Sequence, residues 1–146
     1  MNAISPVIVV PLDGSDLSLA ALPVAVRLAQ ALDAHVVLLQ VVSPVVKAAQ
    51  PAEDLIPLID LEERRAREGL ERAAERFAPR RAELVVLVDQ DPAAAILDWL
   101  RANPADYVVM ATHGRGGLSR LLTGSVTEAV LRSGLAPVVV VRPPEH

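Results

Sequence analysis

Met110-Ala111-Thr112-His113-Gly114-Arg115-Gly116-Gly117-Leu118-Ser119-Arg120-Leu121-Leu122-Thr123-Gly124-Ser125 begins as an apolar run, turns glycine-rich and basic, and ends where a helix starts. The run Tyr107–Ala111 reads as a buried strand, and Ser125 opens a helix carrying Val126, Ala129 and Val130, with Gly134 placed to end it. Between Gly114 and Gly124 stand Arg115 and Arg120 and no acid. A strand-to-helix junction of this kind gathers unpaired backbone N–H groups in positive potential, which phosphate oxygens suit.

Outward from this segment the same alternation repeats. Asp91-Pro92 pairs an N-cap with a first-turn proline and opens a helix with Ile96, Trp99 and Leu100, closed by Asn103-Pro104. Leu84–Val88 reads as the strand before it. Val138–Val141 reads as the last strand, with Pro137 at a position where a missing donor is tolerated.

In the first half, Val7–Val10 is a β-branched run apolar on both faces, as a central parallel strand requires. It ends at Pro11-Leu12-Asp13-Gly14-Ser15, where Gly14 turns the chain and Ser15 or Asp16 can cap the next helix. That helix carries Leu19, Leu22, Val26 and Ala29 on one face, and Pro23 belongs in its first turn or bends it. His35–Val42 reads as the second strand. The stretch through Pro44, Lys47, Pro51 and Pro57 predicts a mobile loop. A charged helix is expected from about Leu58, with Ile59, Ala66, Leu70, Ala73 and Phe77 at helical spacing and Pro79 as its stop. Glu63 with Arg67 and Glu68 with Arg72 have the spacing of surface pairs. The Glu62–Arg81 segment reads as a solvated face.

Strands alternating with helices predict an α/β fold: an open parallel sheet covered on both faces. Residues 1–146 are expected to form one domain, since this length can bury a real core and no repeat or linker interrupts it. Hydrophobic residues make up 52%, so the chain is globular, but aromatics make up only 2%, so its interior is aliphatic. With so few aromatics and a net charge of −4, no nucleic-acid partner is expected. The absence of cysteine excludes disulfides and thiolate metal sites. No basic residue precedes Arg27, and no apolar run approaches the ~18 residues of a membrane helix. The expectation is a cytoplasmic protein without membrane attachment.

In such sheets ligands bind beyond the carboxyl ends of strands where the strand order reverses. Polar residues gather at two such ends, Asp13 and the glycine-rich loop, and they meet across one crevice if the first and fourth strands are neighbours. Each has a plainer reading. Ser125-Val126-Thr127-Glu128 fits a capping box, and Gly116 and Gly117 fit simple turns. Asp13 suits a ribose hydroxyl, a base edge or a water-held metal, but equally a turn before Gly14. His113 lacks a nearby acid and reads as a structural loop residue, and Trp99 as core or covered surface. The loop has neither a Walker Gly-Lys-Ser/Thr ending nor the dinucleotide fingerprint, whose glycines follow the first strand.

Taken together, the chain resembles the universal stress protein family over essentially its whole length. The nucleotide-binding members carry Gly, two residues, Gly, nine residues, then Gly-Ser or Gly-Thr. Here Ala111, Thr112, His113 and Gly114 fill the first part, Arg115–Thr123 the nine, and Gly124-Ser125 the end. Asp13-Gly14-Ser15 and the closing Pro137–Val141 run also fit. The resemblance implies a Rossmann-type fold of the adenine-nucleotide alpha-hydrolase kind, with strand order 3-2-1-4-5 and an ATP site. In that site Pro11, Leu12 and Asp13 would line the adenosine end, and Val41 would meet adenine through its backbone. Met110 and Ala111 would form the floor. Gly114, Gly124, Ser125 and Val126 would hold phosphates, with Arg115 adding charge and Mg²⁺ bridging. Two positions depart from the pattern. Ala111 replaces the first glycine of the signature, which implies weakened or adjusted binding, and Gln90 stands where many relatives have glycine.

The function implied is an ATP-binding stress-response or signalling module that forms a homodimer through its last strand. A nucleotide-free dimeric scaffold and a slow ATPase are the alternatives. No residue is assigned a catalytic role.

Overall fold

The computed structural model describes residues 4–44, 52–78, 80–112 and 125–144. Strands β1 (Val7–Leu12), β2 (His35–Val42), β3 (Ala82–Val88), β4 (Tyr107–Ala111) and β5 (Val138–Val141) form one five-stranded sheet. Its order is β3-β2-β1-β4-β5, and every pairing is parallel. Helices α1 (Ala21–Leu32), α2 (Ala52–Ala74), α3 (Pro92–Ala102) and α4 (Ser125–Ser133) cover it.

The two-residue strand period divides the core into two layers. Ile8, Val10, Leu12, Val36, Leu38 and Val109 meet Leu22 and Ala25 of α1 and Leu70 and Ala73 of α2 on one face. Val9, Val37, Leu39, Val108 and Met110 meet Ile96 and Leu100 of α3 and Val130 of α4 on the other. Strands buried on both faces must be apolar at every position, and for this reason they are continuous Val and Leu runs in the sequence. Among the described residues no helix is long and apolar enough to cross a membrane.

Several local expectations change. β1 runs on through Pro11 and Leu12. A 3₁₀ turn at Ser18–Ala20 precedes α1, whose own N-cap is Ala20, with no side-chain cap. Ser15 instead caps that turn, its hydroxyl accepting from the Ser18 N–H at 3.2 Å. Pro23 falls in the first turn of α1, where the N–H has no intrahelical acceptor in any case. α2 begins at Ala52, earlier than Leu58, and Pro57 lies inside it. Residues 45–51 and Pro79 lie outside the described residues. The ion pair formed on α2 among the described residues is Arg65–Glu62 at 3.2 Å, rather than either expected pair. α1 ends at Asp33 in the left-handed conformation (φ 51°), and Arg80 holds that corner by donating to Asp33 Oδ1 and to the Ala34 carbonyl, each at 2.9 Å.

Pro11 shapes the middle of the sheet. The β1–β2 register extends from Val7↔His35 to Leu12↔Gln40, whereas the β1–β4 register stops at Val9↔Val108. Val7 faces β4, its carbonyl accepting from the Asp106 N–H at 2.8 Å and its N–H donating to Asp106 Oδ2 at 2.7 Å. By alternation the nitrogens of Val9 and Pro11 face β4 as well. The next ladder bond would have to come from Pro11, which has no hydrogen to donate. The two strands are therefore not laced together at their carboxyl ends.

Candidate functional site

A cavity of about 190 Å³ opens at those carboxyl ends. Pro11, Leu12 and Asp13 line it from β1 and the turn beyond, Val41 from β2, Met110 and Ala111 from β4, and Ser125 and Val126 from the start of α4. Every described residue singled out in the sequence for nucleotide contact thus borders one space. Gly114 and Gly124, with His113 and Arg115, lie outside the described residues.

The sheet order explains this convergence. β2 and β4 flank β1. The side chains of Val41 and Met110 belong to the layer beneath α3 and α4, as do Ile96 and Val126, which form part of the wall. Ala111 lies on the other side: it packs against the layer beneath α1, so its methyl group is used in that core.

Asp13 carries out the turn role and also borders the cavity. Its Oδ1 accepts from the Ser15 N–H at 2.8 Å and from the Ser15 hydroxyl at 2.5 Å. The Ser18 hydroxyl donates to the Ser15 carbonyl at 2.8 Å, while the Asp13 N–H reaches Ser18 Oγ at 3.4 Å. This mesh fixes the carboxylate at the mouth. Gly14 follows with φ +85°, a conformation that side chains other than glycine rarely adopt.

At the other end Ser125 is exposed at the first position of α4. Glu128, which a capping box would send back to the helix start, instead pairs with Arg132 at 2.6 Å. The helix terminus, with its N–H groups and positive end of the dipole, borders the cavity.

Sequence reasoning did not select Ser15, Leu17, Ser18, Pro92, Ile96, Thr112 and Thr127, which also line the cavity. Thr112 shares the strand parity of Met110, a signal that could have found it. The α3 contribution follows from its N-terminus, which Asp91 caps by accepting from the Ala94 N–H at 3.1 Å. Nothing local in the sequence marks Pro92 or Ile96 as cavity residues. Among the described residues no group of three or more His, Asp or Glu side chains gathers in a way that could hold a metal.

The chain matches the model of the universal stress protein family over residues 6–142. A universal stress protein of Methanocaldococcus jannaschii is 34% identical over 140 residues, covering 94% of this chain and 82% of that protein. The structure of the universal stress protein UspA from Lactobacillus plantarum superimposes with a TM-score of 0.74 at 30% identity, covering 97% of this chain and all of that one. A universal stress protein crystallised in complex with cAMP superimposes with a TM-score of 0.66 at 26% identity, covering 97% of this chain and 100% of that chain. With its strand order, its cleft and these matches in agreement, the chain belongs to the universal stress protein family.

Proposed function

We propose that this protein binds ATP in the cleft between β1, β4 and α4, and acts as a homodimeric, nucleotide-responsive stress or signalling module of the cytoplasm. The observation that carries the reading is the convergence of Pro11, Leu12, Asp13, Val41, Met110, Ala111, Ser125 and Val126 on one cavity. The similar universal stress protein solved with cAMP supports a nucleotide ligand.

The cleft has two chemically distinct ends. Val41 on β2 and the β4–α4 side lie two strand spacings apart, roughly 10 Å. The Val41 end suits the adenine. Asp13, above β1 between the two ends, suits the ribose hydroxyls. The α4 terminus with Ser125 suits phosphates, because its N–H groups and dipole favour an anion. A cavity of about 190 Å³ takes the nucleoside, with the phosphates running out along the start of α4. Mg²⁺ would enter bound to phosphate oxygens, with Asp13 as the nearest carboxylate on the protein side. When bound, it would neutralise phosphate charge. The apolar residues of β5, the free edge of the sheet, suit pairing with a second copy.

Ser125→Asp tests the ligand. An acid in the first turn favours the helix itself, yet it would stand against phosphate. Calorimetric titration should show ATP binding to the wild type and a loss of at least about tenfold in the variant, with thermal stability retained. A wild type that binds no ATP, or a variant that binds it equally well, overturns the proposal.

A further inference from the structure

We infer that a second binding site lies between α2 and the turn after β1, and that it takes a short peptide with free ends. This goes beyond the nucleotide reading and does not depend on it. Two cavities adjoin there, of about 530 Å³ and about 330 Å³. Gly14, Gln40, Gly69 and Arg72 border both, and so form the neck between them. On one side of the neck Gln40 Nε2 lies 3.2 Å from where a Cβ on Gly14 would stand. On the other, Arg72 Nη2 lies 3.7 Å from where a Cβ on Gly69 would stand. An amide and a guanidinium thus reach the same opening, each beside a residue without a side chain.

Gln40 interrupts the apolar run of β2, sharing the parity of Val36 and Leu38 in the layer beneath α1 and α2. It is half-buried, and among the described residues its amide has no hydrogen-bond partner. No buried side-chain polar atom there is both sealed and unpaired, so the amide keeps its access to the neck. Carrying donor and acceptor side by side, it complements a peptide group.

The charges around the neck are sorted by sign. In the larger cavity Glu62 neutralises Arg65 and Ser15 holds the Asp13 carboxylate, which leaves Glu68. In the smaller one Arg72 and Arg76 outnumber Asp16. Among the described residues Glu68, Arg72 and Arg76 form no ion pair, although Glu68 and Arg72 stand four apart on α2. Glu68 and Arg76 are separated by about 12 Å along the helix axis. An extended tripeptide spans about 10 Å. Its ammonium would face Glu68, its carboxylate Arg72 and Arg76, and a middle peptide group Gln40.

Titration with trialanine, followed in ¹H–¹⁵N correlation spectra of the full chain, tests this. The amides of Gly14, Gln40 and Gly69 should shift saturably. Acetylating the amino end or amidating the carboxyl end should each raise the Kd about fivefold, the loss expected of a charged hydrogen bond at a partly exposed site. In Glu68→Gln the acetylated and free peptides should bind within about twofold of each other. The amidated and free peptides should do so in the double variant Arg72→Gln, Arg76→Gln. Gln40→Leu should weaken every form about fivefold. Shifts that do not saturate, shifts confined to other residues, or blocked peptides that bind as well as the free one would each overturn the assignment. The comparison of blocked and free peptides needs only the wild type, so no variant has to fold for it. A wild type that binds trialanine but no ATP would overturn the nucleotide reading alone.

Discussion

Gly14 and Gly134 show how little of a glycine's importance is visible in its letter. Both have positive φ, +85° and +64°. A Cβ on Gly134 would meet nothing within 4 Å, while one on Gly14 would come within 3.2 Å of Gln40 Nε2. Gly134→Ala should therefore cost only the left-handed conformation, about 1 kcal/mol. Gly14→Ala carries the same conformational cost plus a displaced Gln40, for about 2 kcal/mol in all. Urea denaturation of the two variants measures the difference. At this scale the sequence is legible in part. Asp13 was recognisable as a turn former because an aspartate carboxylate readily accepts from the backbone N–H two residues on, as it does here from Ser15. Thr127 was not, because a threonine in a helix has the same letter whether its hydroxyl faces a cleft or a neighbour, while Thr112 could have been found only by carrying the alternation of β4 one residue past its end.

Elements were legible where burial on both faces left no choice of residue. β2 and β4 run over His35–Val42 and Tyr107–Ala111, as their apolar runs predict. α3 was legible from its ends: Asp91 caps it and Pro92 occupies its first turn, where a missing N–H leaves no bond unmade. Asp91→Ala should lower stability by about 1 kcal/mol, read as a shift in the urea midpoint with an unchanged slope. The start of α2 was misread for a physical reason. Pro57 argues against a helix on local grounds, since it removes one backbone donor and crowds the preceding turn. The helix spans it nonetheless, and farther along Leu70 and Ala73 are buried against the sheet. Tertiary packing outweighs propensity here, which a local reading of sequence cannot weigh.

For the whole molecule, layers and strand order were legible because a βα alternation leaves few ways to cover a parallel sheet. The crevice required β1 and β4 to be neighbours, and they are. Assembly belongs to this scale too. β5 closes the sheet with Val140 40% exposed, a free apolar edge of a kind that chains usually protect. In the proposed homodimer a second copy covers it. Val140→Lys should then shift the protein from dimer to monomer in sedimentation velocity, and a monomeric wild type would rule out that assembly.

Pro11 gives the sheet a third border. Proline is ordinarily confined to outer strands, yet β1 is the innermost of the five. One absent hydrogen resolves the conflict: towards β4, the last stretch of β1 is chemically a rim, although it lies at the molecule's centre. Beyond Val9↔Val108 that rim stays unpaired with β4. The crevice thus opens along a seam that the chain is unable to close, and the turn after β1 and the starts of α3 and α4 complete its walls.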